Sequence, residues 1–451
     1  MPLLRRTLAA AVSVAVVATL HTSQAQAQPP SSCSTSGPAL RYVVLFDVGT
    51  AREDAALDAT VACGALTGYY PQIAVGVVVS TDPAFADRVT RDRALSARAS
   101  VGREATNPPL GRDGTVAADD RSGEQWNMAM IGADRSRKVA DDVLVGVLDA
   151  GVDATHPDLA DAVDRAVSAG CLTGVADPRP SAWAPTTSAH GTHVAGLIAA
   201  ADDGRGITGV APGVRLASVK VVDDAGYVFP EAVVCGLMWA AAKRMTVTNN
   251  SYFVDPWLLT CDRGDERVVF EAVRRAVDYA SIRGVLTVAA ASNENTDLAA
   301  PRGETADSRG RRALDGSCKL LPGGLRGVVA VSAVGPDQVK SGYSSYGLGV
   351  VDVTAPGGEG ERCVLSTVPG GYGTACGTSM AAPHVAGVAA LLAGDHPNTP
   401  PQGLARLLTD GAASLPCPAD YDLDGAAGQD AYCSGYDRYN GFYGHGLVRV
   451  P

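Results

Sequence analysis

From about residue 124 onward, short runs of Val, Leu and Ala recur between segments of helical periodicity. The apolar runs are residues 143–148, 215–221, 246–248, 284–289, 328–332 and 351–355. Helical segments begin at Gly191 and cover 229–243, 267–283 and 378 to about 392. Strands that are apolar on both faces and separated by helices are typical of a parallel sheet covered on both sides. We therefore predict an α/β fold with a mostly parallel sheet and its functional residues at the carboxyl ends of the strands.

A smaller α+β pattern precedes this region. Strands are predicted at 41–46 and 73–79, and a helix at about 52–63. A second helix is predicted from Asp82-Pro83 past Val89, with Asp as the N-cap and Pro in the first position. The segment 107–123 is rich in Pro, Gly and Asp, which is typical of a linker.

The first 27 residues have the pattern of an export signal. Arg5 and Arg6 precede an apolar run at 8–20, and Ala25-Gln26-Ala27 forms a small-x-small cleavage site. The run is short for a membrane span, although an uncleaved anchor is the alternative, and the arginine pair leaves the twin-arginine route open. We expect a secreted, extracellular protein without membrane contact after signal removal.

Charge and cysteine content fit that compartment. The chain has 37 basic and 48 acidic residues, a net charge of −11, which disfavours nucleic acid as a partner. Its ten cysteines include no CxxC pair, and an even number in an exported chain indicates disulfides. Cys417 and Cys433 are expected to close a local loop, and Cys363 and Cys376 could close another. A few buried free thiols are the alternative.

Three polar residues lie where strands end or helices begin. Asp149 follows an apolar strand, His190 opens a helical segment and Ser379 lies at a helix start among small residues. Each alone is better explained as a turn residue, a structural histidine or an N-cap. Together, in the order Asp, His, Ser, they match one chain order of the serine triad. In that triad His190 would take the proton of Ser379, and Asp149 would orient the imidazole.

A triad also needs donors for the oxyanion that forms on the substrate carbonyl. Asn293 ends a buried strand in a loop of small residues, so its amide could supply one donor. The backbone N–H groups at the start of the helix carrying Ser379 could supply another. The alternative for Asn293 is a loop residue bonded to its own backbone.

These four stretches resemble the subtilisin-like (subtilase, S8) serine peptidase family. DAGVD at 149–153, HGTHVAG at 190–196 and GTSMAAPHVAG at 377–387 are similar to its active-site signatures, and AAASNEN at 289–295 is similar to its oxyanion segment. The resemblance covers about 330 residues, to the C-terminus. It implies a three-layer fold with a mostly parallel seven-stranded sheet, and peptide-bond hydrolysis through an acyl-enzyme.

The resemblance also implies a domain organisation. Residues 1–27 would be the signal peptide, 28–115 an inhibitor-like propeptide, and 116–451 the catalytic domain. The propeptide would act as an intramolecular inhibitor, with its last residues in the active site somewhere between Val101 and Asp120. Cys33 and Cys63 could join within it. Polypeptide substrates are the expected partners, and a monomer is the family default.

Two segments resemble the strands that hold substrate in this family. Gly226, Tyr227 and Val228 resemble one edge strand, and Ser251 and Tyr252, which follow Asn250, resemble the other, which lines the primary pocket. Where relatives often have Ser-Leu-Gly, this chain has Ser-Tyr-Phe, and the added bulk is expected to narrow or reshape the subsites. Surface aromatic packing is the alternative.

No cofactor is expected to be required. Asp158 and Asp203 resemble positions that hold a structural calcium ion in many family members, with loop carbonyls completing the oxygen ligands. Many relatives with similar loops bind nothing there, so both alternatives stay open. The run 420–425 lacks the closing Glu of a calcium loop and is interpreted as a solvated loop.

The predicted function is that of a secreted serine endopeptidase. A processing protease of narrow specificity is one alternative, and a catalytically silent binding module on the same scaffold is another. An esterase or lipase is disfavoured by the triad order and by the absence of a Gly-x-Ser-x-Gly elbow. Because turnover needs neutral His190, activity is expected to rise between about pH 6 and 8.

Overall fold

The computed structural model describes residues 33–101, 119–133, 142–307, 310–423, 425 and 428–451. The predicted signal peptide, residues 107–118 of the predicted linker and the predicted domain boundary at 115/116 lie outside these residues. Within the described ranges, no helix is long and apolar enough to cross a lipid bilayer.

The N-terminal unit is a four-stranded antiparallel sheet in the order β2-β3-β1-β4. Its described elements are β1 (Leu40–Leu45), α1 (Arg52–Val61), β2 (Ala65–Tyr70), β3 (Val75–Ser80), α2 (Phe85–Val89) and β4 (Ala94–Leu95). The sequence predicts β1 and β3 but misses β2 and β4. In β2, Gly68 interrupts the alternation and the register shifts at that point, whereas β4 is too short to give a periodic signal. Helix α2 begins later than predicted, because the Asp82 carboxylate binds the backbone N–H of Ala84 at 2.8 Å in a preceding turn.

The larger unit alternates helices and strands. The helices in its described residues are α3 (Trp126–Ile131), α4 (Pro180–Trp183), α5 (His190–Ala199), α6 (Pro230–Lys243), α7 (Arg267–Ile282), α8 (Thr378–Asp395) and α9 (Pro401–Asp410). The strands are β5 (Leu144–Asp149), β6 (Ala169–Gly170), β7 (Arg215–Lys220), β8 (Val247–Asn250), β9 (Thr260–Cys261), β10 (Leu286–Ala290), β11 (Glu304–Asp307), β12 (Gly310–Ala313), β13 (Cys318–Lys319), β14 (Val328–Val334), β15 (Val353–Pro356), β16 (Val364–Val368), β17 (Gly371–Ala375), β18 (Gly435–Tyr436) and β19 (Tyr439–Asn440).

Seven of these strands form one sheet in the order β15-β14-β10-β8-β5-β7-β6. Every pairing in it is parallel. This confirms the predicted α/β fold with a seven-stranded parallel sheet. Six strands coincide with predicted apolar runs, and the two-residue β6 is the one that the sequence does not mark. Strand β7 lies on one side of β5, and the later strand β8 lies on its other side. The order in which the chain adds strands to the sheet therefore reverses at β5.

The sheet is the middle of three layers. Along β5, Val145 and Val147 belong to the core shared with α5, α8 and α9, whereas Leu144 and Leu148 belong to the core shared with α6 and α7. Alternate residues of a strand point to opposite faces, so both faces of β5 must be apolar. This explains why its sequence reads as a continuous apolar run.

The N-terminal sheet packs on the outside of α6 and α7. Val43 and Leu45 share the core of those helices, while Tyr42 and Val44 pack on the unit's own helices. Polar contacts fix the arrangement: the Tyr70 hydroxyl donates to the Gly174 carbonyl at 2.8 Å. The two units are therefore joined by an apolar interface with hydrogen bonds at its edge.

Five disulfides account for all ten cysteines. Cys417–Cys433, Cys363–Cys376 and Cys33–Cys63 confirm the pairs that the sequence suggests. The other two, Cys171–Cys235 and Cys261–Cys318, join segments more than 50 residues apart, and such pairings cannot be deduced from sequence spacing. The alternative of buried free thiols is wrong for this structure.

Candidate active site

Three elements and one loop bring the four predicted catalytic residues together. Asp149 is the last residue of β5, His190 the first of α5 and Ser379 the second of α8, and Asn293 follows β10 in the adjoining loop. His190, Asn293 and Ser379 line one cleft of about 320 Å³, and Asp149 lies buried behind His190. The cleft opens at the carboxyl ends of the central strands, where parallel α/β sheets bind their ligands.

The Asp149–His190 pair is fully formed. The Nδ1 atom of His190 lies 2.8 and 2.9 Å from the two carboxylate oxygens, and the N–H of Ala150 donates to Oδ1 at 2.7 Å. Gly191 permits this approach, because a Cβ there would lie 2.4 Å from the Gly151 carbonyl oxygen. With Nδ1 bound to Asp149, Nε2 is the nitrogen left for proton transfer.

The same contacts set the protonation of His190. Burial lowers the pKa of His190. The charge of Asp149 and its hydrogen bond to His190 raise that pKa by more than burial lowers it, so the net shift is upward. The two neighbouring motif histidines behave differently: burial lowers the pKa of His193 to about 3 and that of His384 to about 4. Of these three histidines, His190 is the one that can change charge near neutral pH.

Ser379 lies in the first turn of α8, after Gly377 with φ of 155°. The first N–H groups of a helix have no intrahelical partner and carry a partial positive charge. The Thr378 N–H already donates to Asn293, which leaves the Ser379 N–H as the candidate donor to an oxyanion. The Ser379 hydroxyl donates to the Ser251 carbonyl oxygen at 3.3 Å. Among the described residues it makes no hydrogen bond to His190, and such bonds often form only once substrate is present.

Pro383 explains how Ser251 contacts the nucleophile. Proline lacks an N–H, so the carbonyl of Ser379, four residues earlier in α8, has no helical donor. The Ser251 hydroxyl donates to that carbonyl at 2.9 Å, and Asn249 donates to the same hydroxyl at 2.9 Å. Ser251 thus contacts Ser379 twice, through its side chain and its main chain. The proline within a helical motif is the sequence signal for this contact.

The side chain of Asn293 is oriented by Thr378, the residue that precedes Ser379. Its side-chain oxygen accepts hydrogen bonds from the N–H of Thr378 at 2.9 Å and from the Thr378 hydroxyl at 2.8 Å. Because the oxygen is held, the amide nitrogen is the end left to donate to a ligand. Ser292 and Asn295 on either side have φ of 75° and 46°, a conformation that costs a non-glycine residue about 1–3 kcal/mol.

A buried lysine, which sequence reasoning misses, holds this loop. Lys340 Nζ donates to the side-chain oxygen of Asn295 and to the Tyr421 hydroxyl, both at 3.0 Å. It also lies over the rings of Tyr346 and Phe442. Burial lowers its pKa to about 7. No motif marks Lys340, because its surroundings come from segments distant in sequence.

The segment 226–228 differs from its prediction as an edge strand. Gly226 and Val228 line the cleft, but the segment is a loop whose main chain is already paired. The Tyr227 N–H donates to the Asp223 carboxylate at 3.0 Å, and the Val228 N–H donates to the Asp255 carboxylate at 2.7 Å. In this structure, therefore, two carboxylates already accept the backbone N–H groups that would otherwise be able to pair with an added peptide strand.

The other predicted substrate segment lies at the cleft. Ser251, Tyr252 and Phe253 all line it, and substrate binding by this segment stays a prediction. The Tyr252 hydroxyl donates to the side-chain oxygen of Asn250 at 2.8 Å, and Asn250 in turn donates to the Val288 carbonyl at 3.0 Å. The ring is thereby fixed as part of the cleft wall.

The two predicted calcium ligands have different surroundings. Both oxygens of the buried Asp158 accept the Tyr372 hydroxyl at 3.0 Å, and one also accepts the N–H of Ile207. Asp203 is exposed, and its carboxylate binds the N–H of Arg205. No cluster of three acidic, His or Cys ligands within the described ranges includes either residue. The Tyr372 hydroxyl and the Ile207 N–H thus already bind Asp158, and calcium binding stays a prediction.

Comparison with known proteins places this geometry in a family. The model of the subtilase family matches residues 140–446. Fervidolysin from Fervidobacterium pennivorans is 32% identical over 375 residues, which are 76% of this chain and 45% of that protein. Subtilisin NAT from Bacillus subtilis subsp. natto is 36% identical over 258 residues, 56% of each chain. The chain thus spans about half the length of these two relatives.

A solved structure supports the fold. The epidermin leader peptide processing serine protease from Staphylococcus aureus superposes with a TM-score of 0.67 at 20% identity, over 92% of this chain and 97% of that one. At that identity the likeness concerns the fold alone. The family model covers more than half of the chain and includes all four predicted catalytic residues. The chain therefore belongs to the subtilase family of serine peptidases.

Proposed function

We propose that this protein is a secreted serine endopeptidase that hydrolyses peptide bonds through an acyl-enzyme. One observation carries the proposal: a single cleft brings together the buried Asp149 paired with the partly buried His190, Ser379 at a helix start, and Asn293 with its amide nitrogen unengaged by the residues described. The position of each residue supports the role that its motif predicts.

The first half of the reaction forms the acyl-enzyme. The Ser379 hydroxyl leaves the Ser251 carbonyl and turns toward His190, whose Nε2 takes the proton as the oxygen attacks the substrate carbonyl. The resulting oxyanion accepts hydrogen bonds from the Asn293 amide and from the backbone N–H of Ser379. Asp149 stabilises the imidazolium that forms.

The second half releases the products. His190 gives its proton to the leaving amine, which departs and leaves an ester on Ser379. A water molecule then enters, His190 removes its proton, and the hydroxide equivalent attacks the ester carbonyl. The acid product and the free hydroxyl of Ser379 are restored when His190 returns the proton. No metal ion takes part in these steps.

The proposal includes maturation and export. Residues 1–27 act as a signal peptide, 28–115 as an inhibitory propeptide and 116–451 as the catalytic domain, which works as a monomer. Support for the propeptide comes from the N-terminal sheet on α6 and α7, and from Val101, which packs in the same core as Tyr227 and Tyr252 beside the cleft.

A processing protease with few targets is the second candidate. The observation that favours it is the pair of aromatic side chains, Tyr252 and Phe253, in the wall of the cleft. Two solved proteins of similar fold are an epidermin leader peptide processing serine protease and a nisin leader peptidase. A profile of cleaved peptides separates a narrow from a broad specificity.

The function is tested by expressing the full chain as wild type and as Ser379→Ala, and following its mass and its hydrolysis of casein. We expect the wild type to lose the propeptide and to hydrolyse casein, and the variant to do neither. Ser414→Ala, at an exposed serine whose hydroxyl bonds a carbonyl, is the matched control and should behave as wild type. Casein hydrolysis by the Ser379→Ala protein would refute the proposed nucleophile.

A further inference from the structure

One side chain of the N-terminal unit is held in a charged pocket of the catalytic domain. The Arg98 guanidinium carbon lies 4.0 Å from the centre of the Phe229 ring. Its Nε lies 3.4 Å from the Glu231 carboxylate, and its Nη1 lies 3.9 Å from the Asp223 carboxylate. The guanidinium therefore stacks on an aromatic face between two carboxylates, an arrangement that suits its planar charge.

Glu231 makes this more than a surface contact. Its side chain is only 2% exposed, and a buried carboxylate is costly without a cation. Burial raises the pKa of Glu231, while the nearby charge of Arg98 acts to lower it. Glu231 also lies in the first turn of α6, where the helix dipole favours a negative charge. While the N-terminal unit is attached, a cation in the pocket therefore completes the environment of a buried carboxylate.

The pocket adjoins the cleft. Val222, Gly226 and Val228 line the cleft, and they are neighbours in sequence of Asp223 and Phe229. Three residues beyond Arg98, the partly buried Val101 packs against the same hydrophobic core as Tyr227 and Tyr252, and Tyr252 lines the cleft. The pocket and the cleft are therefore built from adjoining parts of the segment 222–231.

We propose that Asp223, Phe229 and Glu231 form an arginine-binding subsite for polypeptide substrates, occupied by Arg98 while the N-terminal unit is attached. This inference rests on the proposed function, because the subsite becomes free only when that unit leaves. The ligand class is a peptide with an arginine several residues before the cleaved bond. Lysine fits less well, because its ammonium cannot stack flat on Phe229 and bond both carboxylates.

The test uses the full chain, expressed and matured as wild type, with fluorogenic peptides that carry Arg, Lys, citrulline or Leu at each of the six positions before the cleaved bond. Citrulline keeps the shape of arginine without its charge. We expect kcat/KM to be on the order of tenfold higher for Arg than for citrulline at one position, and Lys to fall between them.

Variants then assign the preference to the pocket. Glu231→Gln and Asp223→Asn should each reduce the Arg-to-citrulline ratio toward one, and the Asp223 variant covers the case in which the buried Glu231 variant does not fold. Asp224→Asn is the matched control: its carboxylate binds Thr186 and Lys220, so the ratio should stay as in wild type.

The outcomes are distinguishable. Turnover without a preference for Arg at any of the six positions overturns the subsite, as does a preference that survives in Asp223→Asn. Equal rates for Arg and citrulline also overturn it, since shape rather than charge would then be recognised. If the wild type hydrolyses none of the peptides and no casein, the proposed function itself fails, and this inference fails with it.

Discussion

The two halves of the candidate active site are prepared to different degrees. The base half, Asp149 and His190, has its hydrogen bonds in place at 2.8 and 2.9 Å. In the nucleophile half, the Ser379 hydroxyl donates to the Ser251 carbonyl, at 3.3 Å, instead of to His190. The comparison indicates that orientation of the imidazole is built into the fold, whereas the proposed attack needs rotation of one side chain.

The two halves differ because different parts of the molecule supply the contacts that hold their side chains. Asp149 and His190 are fixed by a strand end and a helix start that Gly191 allows to approach closely. Ser379 is fixed by its own helix and by Ser251, a residue of the predicted substrate pocket. The base is thus positioned by the core of the domain, and the nucleophile by a segment that substrate would contact.

Among the substitutions that test the two halves of the site, Asp149→Asn should cause the largest loss of activity. The amide cannot stabilise the imidazolium and favours the wrong tautomer of His190, so kcat should fall by about 10⁴. Kinetics with a small ester substrate measure this loss. Asp153→Asn, at a carboxylate of the same motif that binds Thr155, serves as the control and should keep near-normal turnover. A loss under tenfold in Asp149→Asn would show that the base half is not prepared as described.

Asn293→Ala should give the next largest effect. It removes one oxyanion donor, and kcat should fall by about 10²–10³ with little change in KM. The Thr378 N–H also loses its acceptor, so thermal unfolding must be measured alongside to show that the protein remains folded. An unchanged kcat in a folded variant would remove Asn293 from the proposed oxyanion site.

Ser251→Ala should have a smaller effect on the nucleophile half. It removes the donor to the Ser379 carbonyl but keeps the Ser251 carbonyl. One such hydrogen bond contributes about 1 kcal/mol, which corresponds to roughly fivefold in rate. The loss should appear in kcat, because the contact positions the nucleophile. A change confined to KM would mean that Ser251 contacts substrate only.

The pH dependence gives the finest distinction. Since the net pKa of His190 is raised above its ordinary value of 6.5, the acidic limb of kcat/KM should have its midpoint above pH 6.5. The imidazolium–carboxylate pair stabilises the fold below the unfolded pKa, and this contribution is lost as pH rises through the folded value. In Asp149→Asn the charge is gone while burial remains, so the midpoint of the residual activity should move to lower pH. Movement to higher pH would contradict this account.

The sequence motifs predict which elements carry the site, because each motif couples a functional residue to the small residues that its position requires. Gly191 next to His190 is one case. The fold could be predicted for a related reason: strands buried on both faces must be apolar throughout. Two-residue strands such as β6 carry too few residues for any pattern.

Other features depend on residues that meet only in three dimensions. The loop at 226–228 was expected to be a strand, but Asp223 and Asp255 take its N–H groups, and Asp255 is distant in sequence. Lys340 is buried among aromatic rings from the C-terminal region. No local sequence pattern predicts such contacts. Pro383, in contrast, is visible within a helical motif, and its missing N–H predicts that the Ser379 carbonyl lacks a helical donor.

The contact created by Pro383 has a consequence for changing what this protein recognises. Ser251 belongs both to the wall of the cleft and to the support of Ser379. Substitutions at 251–253 that reshape the cleft would therefore also shift the backbone against which the nucleophile rests. Substrate selectivity and kcat therefore depend on the same segment. Variants of residues 251–253 that are selected for a new substrate should show an altered kcat on every substrate. The wall at 226–228 has no such contact with Ser379 among the residues described, and it is the better place to alter one property without the other.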